Sequence, residues 1–475
     1  MAYRYGNRKQ ITLFPESIEE FISQDDPVRA YDAFVQALDF NELGLRLNED
    51  KVGNSEYDPK SMLKLLIYGY SYGVRSSRKL ERAVYHNLSF IWLVGGLKPD
   101  HKTIANFRKN NKSSLKKVLK LCAKMCLKLD LIEGNTLFVD GTKLKADAGK
   151  RNTWTADRCK RSLKKIDQRI EVILAECAAV DQYEQDSSSL VKMNDELKQE
   201  SVLKEKVKSI LEELKTTEKK SINTVDKDCN RVNDKGRFYP GYNAQIVADE
   251  KNGLIVNSDV VADNNDLGQF AEQINQANVT LGDKCENAVA DAGYANTAEL
   301  KKVDSENINV IVPSQRQASH KKASEFSKEK FNYDAEHNRY ICPEGHVLKQ
   351  RGLNKRKRHI IYDTVDSSHC RNCKHFGKCT SSKNGRRVTR LFDEELREKF
   401  EKQYSQQETQ VIYAKRKEKV ELPFGHLKRN LSVDGFLLRG LDSVKAEFSL
   451  LSSCFNISRM ITLLGVSGLI HALGE

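Results

Sequence analysis

The chain has 475 residues, 39% of them hydrophobic and 31% charged, which makes it an ordinary globular chain with enough apolar content for two or three domains. A formal net charge of +13 and a pI near 9.0 favour a polyanionic partner, a bias shared with ribosomal, membrane-surface and heparin-binding proteins. Eleven scattered cysteines do not imply a disulfide framework, and the start, MAYRYGNRKQITLFPESIEEF, lacks the apolar run of a signal peptide, so a cytoplasmic protein is expected.

Residues 1–130 read as a helical domain. Pro59 opens the one-sided apolar run KSMLKLLIYGYSYGV, Ser76 or Ser77 caps SSRKLERAVYHN, FIWLVGG ends at its glycines, and Asp100 or Thr103 opens PDHKTIANFRKNN. Short helices with basic outer positions suit a DNA-contacting bundle of helix-turn-helix type, or a helical packing module. Leu115, Val118, Leu119, Cys122, Met125 and Cys126 follow helical spacing, which makes both cysteines core thiols.

Strand character begins at LFVDG and continues through the alternating TKLKADA. Residues 151–222 then read as a charged helical hairpin with heptad-like stretches, an insertion to which no chemistry is assigned. Beyond it, YNAQIVADEKNGLIVNSDVVAD predicts a β-hairpin turning at DEKNG, followed by helix LGQFAEQINQANVTL, buried strand NAVAD, helix NTAELKKVDSEN and strand INVIVPS. This order fits an α/β fold with a ribonuclease-H-like mixed sheet. The core is expected to comprise 131–150, 223–315 and 396–475.

Residues 316–395 form a basic cysteine-bearing insertion. Between 350 and 390 stand twelve Lys or Arg against two Asp, so most of the excess positive charge is concentrated there. Helix returns from about 396, and the apolar run FSLLSSCFNISRMITLLGVSGLI, with Asn456, Arg459 and several serines, reads as a buried core helix and not as a membrane span.

Three acidic residues carry the chemistry. Asp140 follows Leu137, Phe138 and Val139, Asp291 follows Ala288, Val289 and Ala290, and Glu421 lies on a basic helix that Pro423 interrupts or bends. Open α/β sheets place ligands beyond strand ends of this kind, although an Asp there also starts turns or caps helices, and a Glu on a charged helix is commonly a solvated one. Arg416, Lys417, Lys428 and Arg429 surround Glu421 with groups able to hold a phosphate backbone. Cys342, Cys370, Cys373 and Cys379, one pair spaced C-x2-C and with histidines nearby, supply enough ligands for a structural zinc ion, or remain reduced thiols.

LFVDGT and VADAGY, paired with a late Y-x2-R-x4-E-x6-K segment, resemble the DDE transposases of bacterial insertion sequences, in the broad IS-Four-like group. KLLIYGYSYGVRSSRKLERAVYHN and PDHKTIANFRK resemble the amino-terminal domain of InsH-type transposases, and GYNAQIVADEKNGLIV resembles the stretch before their second aspartate, so the likeness covers nearly the whole chain. It implies a catalytic triad of Asp140, Asp291 and Glu421 that binds Mg²⁺ or Mn²⁺, as two ions. It also implies DNA contact by Tyr413, Arg416 and Lys428, to which neighbouring Lys417 and Arg429, and Arg108 of the amino-terminal domain, are added. Four residues separate Arg416 from Glu421 where the broad pattern has three, and at about 100° per residue Lys417 lies nearer the face of Glu421.

The resemblance implies water, then a DNA 3′-hydroxyl, as in-line nucleophiles, double-stranded DNA as partner through element ends and target, and a homodimer on DNA in the bacterial cytoplasm, at the nucleoid. Two alternatives stand beside it: a ribonuclease-H-like nuclease that cuts without joining, and a DNA-binding regulator with an inert acidic trio.

Overall fold

The computed structural model describes residues 17–45, 56–182, 187–217, 219–234, 236–319, 325–355 and 358–474. Most of the amino-terminal tract read for a signal peptide, the tip of the charged hairpin at 183–186, and residues 320–324 and 356–357 of the basic segment lie outside the described residues.

Among the described residues, seven α-helices come first: α1 (Pro27–Gln36), α2 (Phe40–Leu43), α3 (Pro59–Ser71), α4 (Ser77–His86), α5 (Leu88–Leu93), α6 (His101–Asn110) and α7 (Lys112–Lys128). Then follow β1 (Thr136–Lys145), β2 (Thr153–Trp154), α8 (Ala156–Gln182), α9 (Ser187–Thr216), β3 (Ile222–Asn223), β4 (Asn230–Asp234), β5 (Arg237–Asp249) and β6 (Ile255–Val261). The next elements are α10 (Phe270–Leu281), β7 (Asn287–Val289), α11 (Thr297–Asp304), β8 (Asn309–Ile311) and α12 (Gln315–Ala318). The last part holds β9 (Asn332–Asp334), β10 (Arg339–Ile341), β11 (Val347–Asn354), β12 (His359–Thr364), α13 (Ser367–Arg371), β13 (Arg387–Leu391), α14 (Glu394–Tyr404), α15 (Gln407–Gly425) and α16 (Leu441–Gly474). The fold is mixed α/β with a helical amino-terminal region, consistent with a ribonuclease-H-like core.

Local chemistry sets the helix starts. Asp26 and Asp58 accept backbone amides at the head of α1 and α3, each followed by a proline whose missing N–H costs nothing there. Asp100 caps α6 through the amide of Thr103 at 2.6 Å. Ser76 occupies the N-cap of α4 without a side-chain bond. Ser77 instead accepts a hydrogen bond from Arg108.

Two compact units divide the chain, one of Met1–Asp266, Glu272–Cys285 and Lys417–Glu475, the other of Leu267–Ala271 and Glu286–Arg416. In the first, β5 pairs antiparallel with β1, β4 and β6. Its core gathers Leu137, Phe138 and Val139 of β1, all fully buried, with side chains of α3, α7 and α16. The polar Asn456 of α16 completes the β6 edge: its amide oxygen accepts Ile255 N–H and its nitrogen donates to Ile255 C=O, both at 2.8 Å. By length and composition α16 could cross a membrane; it is largely buried in this unit from Ser443 to Met460, whereas only 17% of the 18-residue stretch that is apolar enough for a span is buried, and the helix breaks at Gly465, where φ is 73°. Helices α8 and α9 have a small core of their own around Cys159, Ile166, Val207, Ile210 and Leu214, with Lys204 reaching Asp167 across the pair at 2.7 Å.

In the second unit β7 and β8 run parallel, joined through α11 as a right-sized crossover for neighbouring parallel strands. Residues 332–391 form a five-stranded antiparallel sheet, adjacent in chain order from β9 to β13. Strands were not anticipated there. Phe331, Tyr340, Leu348, Tyr362 and Val388 are its buried cluster, roughly one side chain per strand, so no apolar alternation marks the segment.

Candidate active site

Asp140 stands at the boundary of burial in the first unit. The apolar triplet before it is fully buried, whereas Asp140 and the three residues after it are half-buried. The strand continues past it, in keeping with the alternation of TKLK: Asp140 lies opposite Ile246 and the ladder to β5 runs on to Lys145. Asp140 Oδ1 accepts the amide of Gly141 at 2.9 Å. Gly141 has no room for a side chain, since a Cβ would strike Gln245 and press on Asp266. Asp266 Oδ1 accepts from Asn243 at 2.7 Å and Gln245 at 2.8 Å, and Lys143 lies 3.6 Å away. Burial lowers the Lys143 pKa, against the pull of Asp266. Sequence patterns missed this polar group, although Asp266 lies in the acidic turn DNND.

Glu421 is exposed on α15. Pro423 does not end the helix, which runs to Gly425 and then widens into a π turn over His426–Asn430. A proline supplies no N–H to its own turn, and the wider turn after it re-registers the bonds, with Leu431 N–H meeting His426 C=O at 3.1 Å. Lys428 and Arg429 sit on that π turn, both exposed. Lys428 Nζ donates to Thr142 Oγ1 at 2.7 Å. Thr142 is two residues beyond Asp140 and therefore shares its face of β1. Lys417, exposed, is one helical turn before Glu421.

Asp291 belongs to the second unit, just beyond the end of β7, where Ala290 N–H still meets Ile311 C=O at 3.2 Å. It caps a single 3-10 turn, Oδ1 accepting Gly293 N–H at 2.7 Å. Tyr413 of the same unit is within electrostatic reach. Burial raises its phenol pKa, Arg416 opposes the rise, and Tyr404 and Asp291 add to it. The Arg416 guanidinium lies 5.9 Å from the Tyr413 ring centre.

Arg108 is only 7% exposed. Its guanidinium donates to Tyr70 OH at 3.0 Å, to Arg75 C=O at 2.8 Å and to Ser77, bracing α3, α4 and α6 from inside. The four cysteines of the basic segment meet around one small cavity with His346 and His375. Burial pushes the Cys379 thiol up, Arg386 opposes this, and Cys370, Cys342 and Cys373 add to it. Among the described residues, no three His, Cys, Asp or Glu side chains as placed are close enough together to hold a metal ion.

Residues 341–461 match the family model described as transposase DDE domain, and residues 16–110 match the transposase domain DUF772. Together they support a DDE transposase. The first match contains Tyr413, Arg416, Glu421 and Lys428 and also the four cysteines, so the basic segment lies inside the matched domain from residue 341 onward. Asp140 and Asp291 precede that match, and the second covers α1 to α6. A transposase DDE domain implies an enzyme of nuclease and transesterase chemistry acting on DNA, a family that typically uses divalent metal ions. No curated protein matches the chain.

Proposed function

We propose that the chain is an insertion-sequence transposase, of the IS-Four-like group, that binds the ends of its element, cuts them and joins them to target DNA. The observation that carries this reading is the DDE-domain match around Glu421, together with the bond from Lys428 to Thr142 on the Asp140 strand. Asp140, Asp291 and Glu421 act as one triad in this proposal.

Their donor set fits hard divalent cations, being all carboxylate oxygen, and Asp140 is half-buried within its strand, with Oδ1 meeting the Gly141 amide. When bound, two Mg²⁺ or Mn²⁺ ions supply Lewis-acid activation of the attacking oxygen and stabilisation of the leaving one. The residues of this chain do the positioning. Lys417, Lys428 and Arg429 present exposed positive charge on and just beyond α15, suited to phosphate oxygens. Tyr413, with Arg416 against its ring, offers a flat surface and a cation to the DNA end. Arg108 serves the amino-terminal bundle from its interior. The working form is a homodimer on two DNA ends, in the bacterial cytoplasm at the nucleoid.

The test compares the intact chain with Asp140→Asn, Asp291→Asn and Glu421→Gln on DNA carrying the element ends, with Mg²⁺ present. Metal-dependent cleavage lost in each variant, with end binding retained, supports the proposal. Unchanged cleavage in any of the three removes that residue from the triad, and no cleavage by the intact chain favours a DNA-binding regulator.

A further inference from the structure

The sheet over residues 332–391 has a very thin core for its size. Its buried cluster is Phe331, Tyr340, Leu348, Tyr362 and Val388, and the exposed faces carry arginines and lysines. A cluster of this size is at the lower limit of what burial alone stabilises, and small sheets of this kind commonly depend on a covalent or metal staple.

The cysteines supply the material for one. Cys342 leaves β10, Cys370 and Cys373 lie on and just after α13, and Cys379 follows in the loop before β13. All four line one cavity of about 30 Å³, the size of a single small occupant. Three of the sulfurs already accept backbone amides: Cys342 from His346 at 3.3 Å, Cys373 from His375 at 3.4 Å and Cys370 from Arg386 at 3.4 Å. Hydrogen bonds of this type around a metal centre fix the orientation of its ligands. The tight loops that aim them depend on left-handed glycines, Gly345 at φ 82° and Gly385 at φ 83°. A Cβ on Gly385 would strike Thr364 and touch the Cys370 sulfur.

The histidines are engaged elsewhere. His375 is bound to Glu344 at 3.1 Å, and His346 is stacked on His369 with ring centres 4.4 Å apart. All four cysteines are free thiols. The surroundings suit a dianionic centre, because Arg386 sits beside it, donating to Cys379 C=O and Phe326 C=O, both at 2.8 Å.

We infer that Cys342, Cys370, Cys373 and Cys379 bind one structural zinc ion that staples this sheet, a role separate from the catalytic chemistry proposed above. Binding exchanges four thiol protons for one Zn²⁺, leaving a tetrahedral thiolate centre with net charge −2. The sulfurs are not yet at ligand separation as placed, so loading draws the β10 turn and the α13 loop inward. The ion contributes folding free energy to the sheet because the unfolded segment has no such site.

The full chain, purified without chelator, is expected to contain one zinc per chain by elemental mass spectrometry. C370S/C373S is expected to lose it, whereas C177S, in the charged helical pair, keeps it. Replacing zinc by Co²⁺ in the intact chain is expected to give the intense thiolate-to-cobalt absorption of a tetrahedral sulfur site, a reading that does not depend on any variant folding. Intact chain with far less than one zinc per chain, a cobalt spectrum without thiolate bands, zinc retained by C370S/C373S, or a Cys370–Cys373 disulfide in freshly purified chain would each overturn the inference.

Discussion

Lys428 donates from Nζ to Thr142 Oγ1 at 2.7 Å, and so ties the basic π turn beyond Glu421 to the strand that carries Asp140. A lysine on a hydroxyl gives a weak, exchangeable contact, and a phosphate oxygen is a stronger acceptor for the same ammonium. Lys428→Ala is therefore expected to weaken binding of element ends uniformly across sequences and to reduce the slope of log affinity against log salt by about 1. Titrations of fluorescent duplex at several salt concentrations measure it. An unchanged slope would remove Lys428 from the DNA contacts.

Glu421→Gln keeps the shape of an exposed side chain on α15 while removing its charge. Cleavage of element ends is expected to fall by on the order of 10²–10³-fold or more, the scale on which a charged group acting at the transition state is felt. Thermal stability should stay within about 0.5 kcal/mol of the parent, as for surface substitutions generally. Gel-resolved cleavage rates and a melting curve read the two effects separately.

Arg75 and Glu447 form a buried pair at 3.1 Å, and the Glu447 carboxylate also accepts the amides of Leu437 and Leu438 at about 3 Å. Removing one partner leaves the other group buried without its counter-charge, its backbone hydrogen bonds alone remaining. Glu447→Ala is expected to cost about 3–5 kcal/mol in unfolding free energy, and Arg75→Ala a comparable amount. Urea unfolding of the two single variants and the double variant measures the coupling.

His426 packs edge-on against Phe455, ring centres 5.5 Å apart, and its Nδ1 faces the Asn430 amide at 3.3 Å. Burial lowers its pKa, so the folded chain binds fewer protons than the unfolded chain. The stability this contributes is complete above the unfolded value of about 6.5 and is lost as pH falls through it toward the folded value. Melting temperature is expected to decline from about pH 7 to about pH 5, and His426→Phe should flatten that part of the decline.

Much of the fold was legible because apolar periodicity carries it. LFVDGTKLK, the DEKNG hairpin and the strand and helix runs from 287 to 311 appear as β1, the β5–β6 pair, β7, α11 and β8. Asp140 marks the change in burial but not the end of its strand, since TKLK continues the ladder. The five-stranded sheet was not legible, because a strand such as VLKQRGLN buries only Leu348 and gives no alternation to read. Long-range polar contacts were equally hidden. FRK in a basic helix suggests exposed charge, yet Arg108 is held inside by Tyr70 and the Arg75 carbonyl, and nothing in VDGTK announces the contact between Thr142 and Lys428.

Joining distinguishes a transposase from a nuclease most directly. The intact chain is incubated with Mg²⁺, a pre-cut element end bearing a free 3′-hydroxyl, and a supercoiled target plasmid, and the products are scored for covalent end-to-plasmid joints. Joined product is expected, abolished by Asp140→Asn, Asp291→Asn or Glu421→Gln. Hydrolysed ends with no joint, or joints that persist in those three variants, would contradict it.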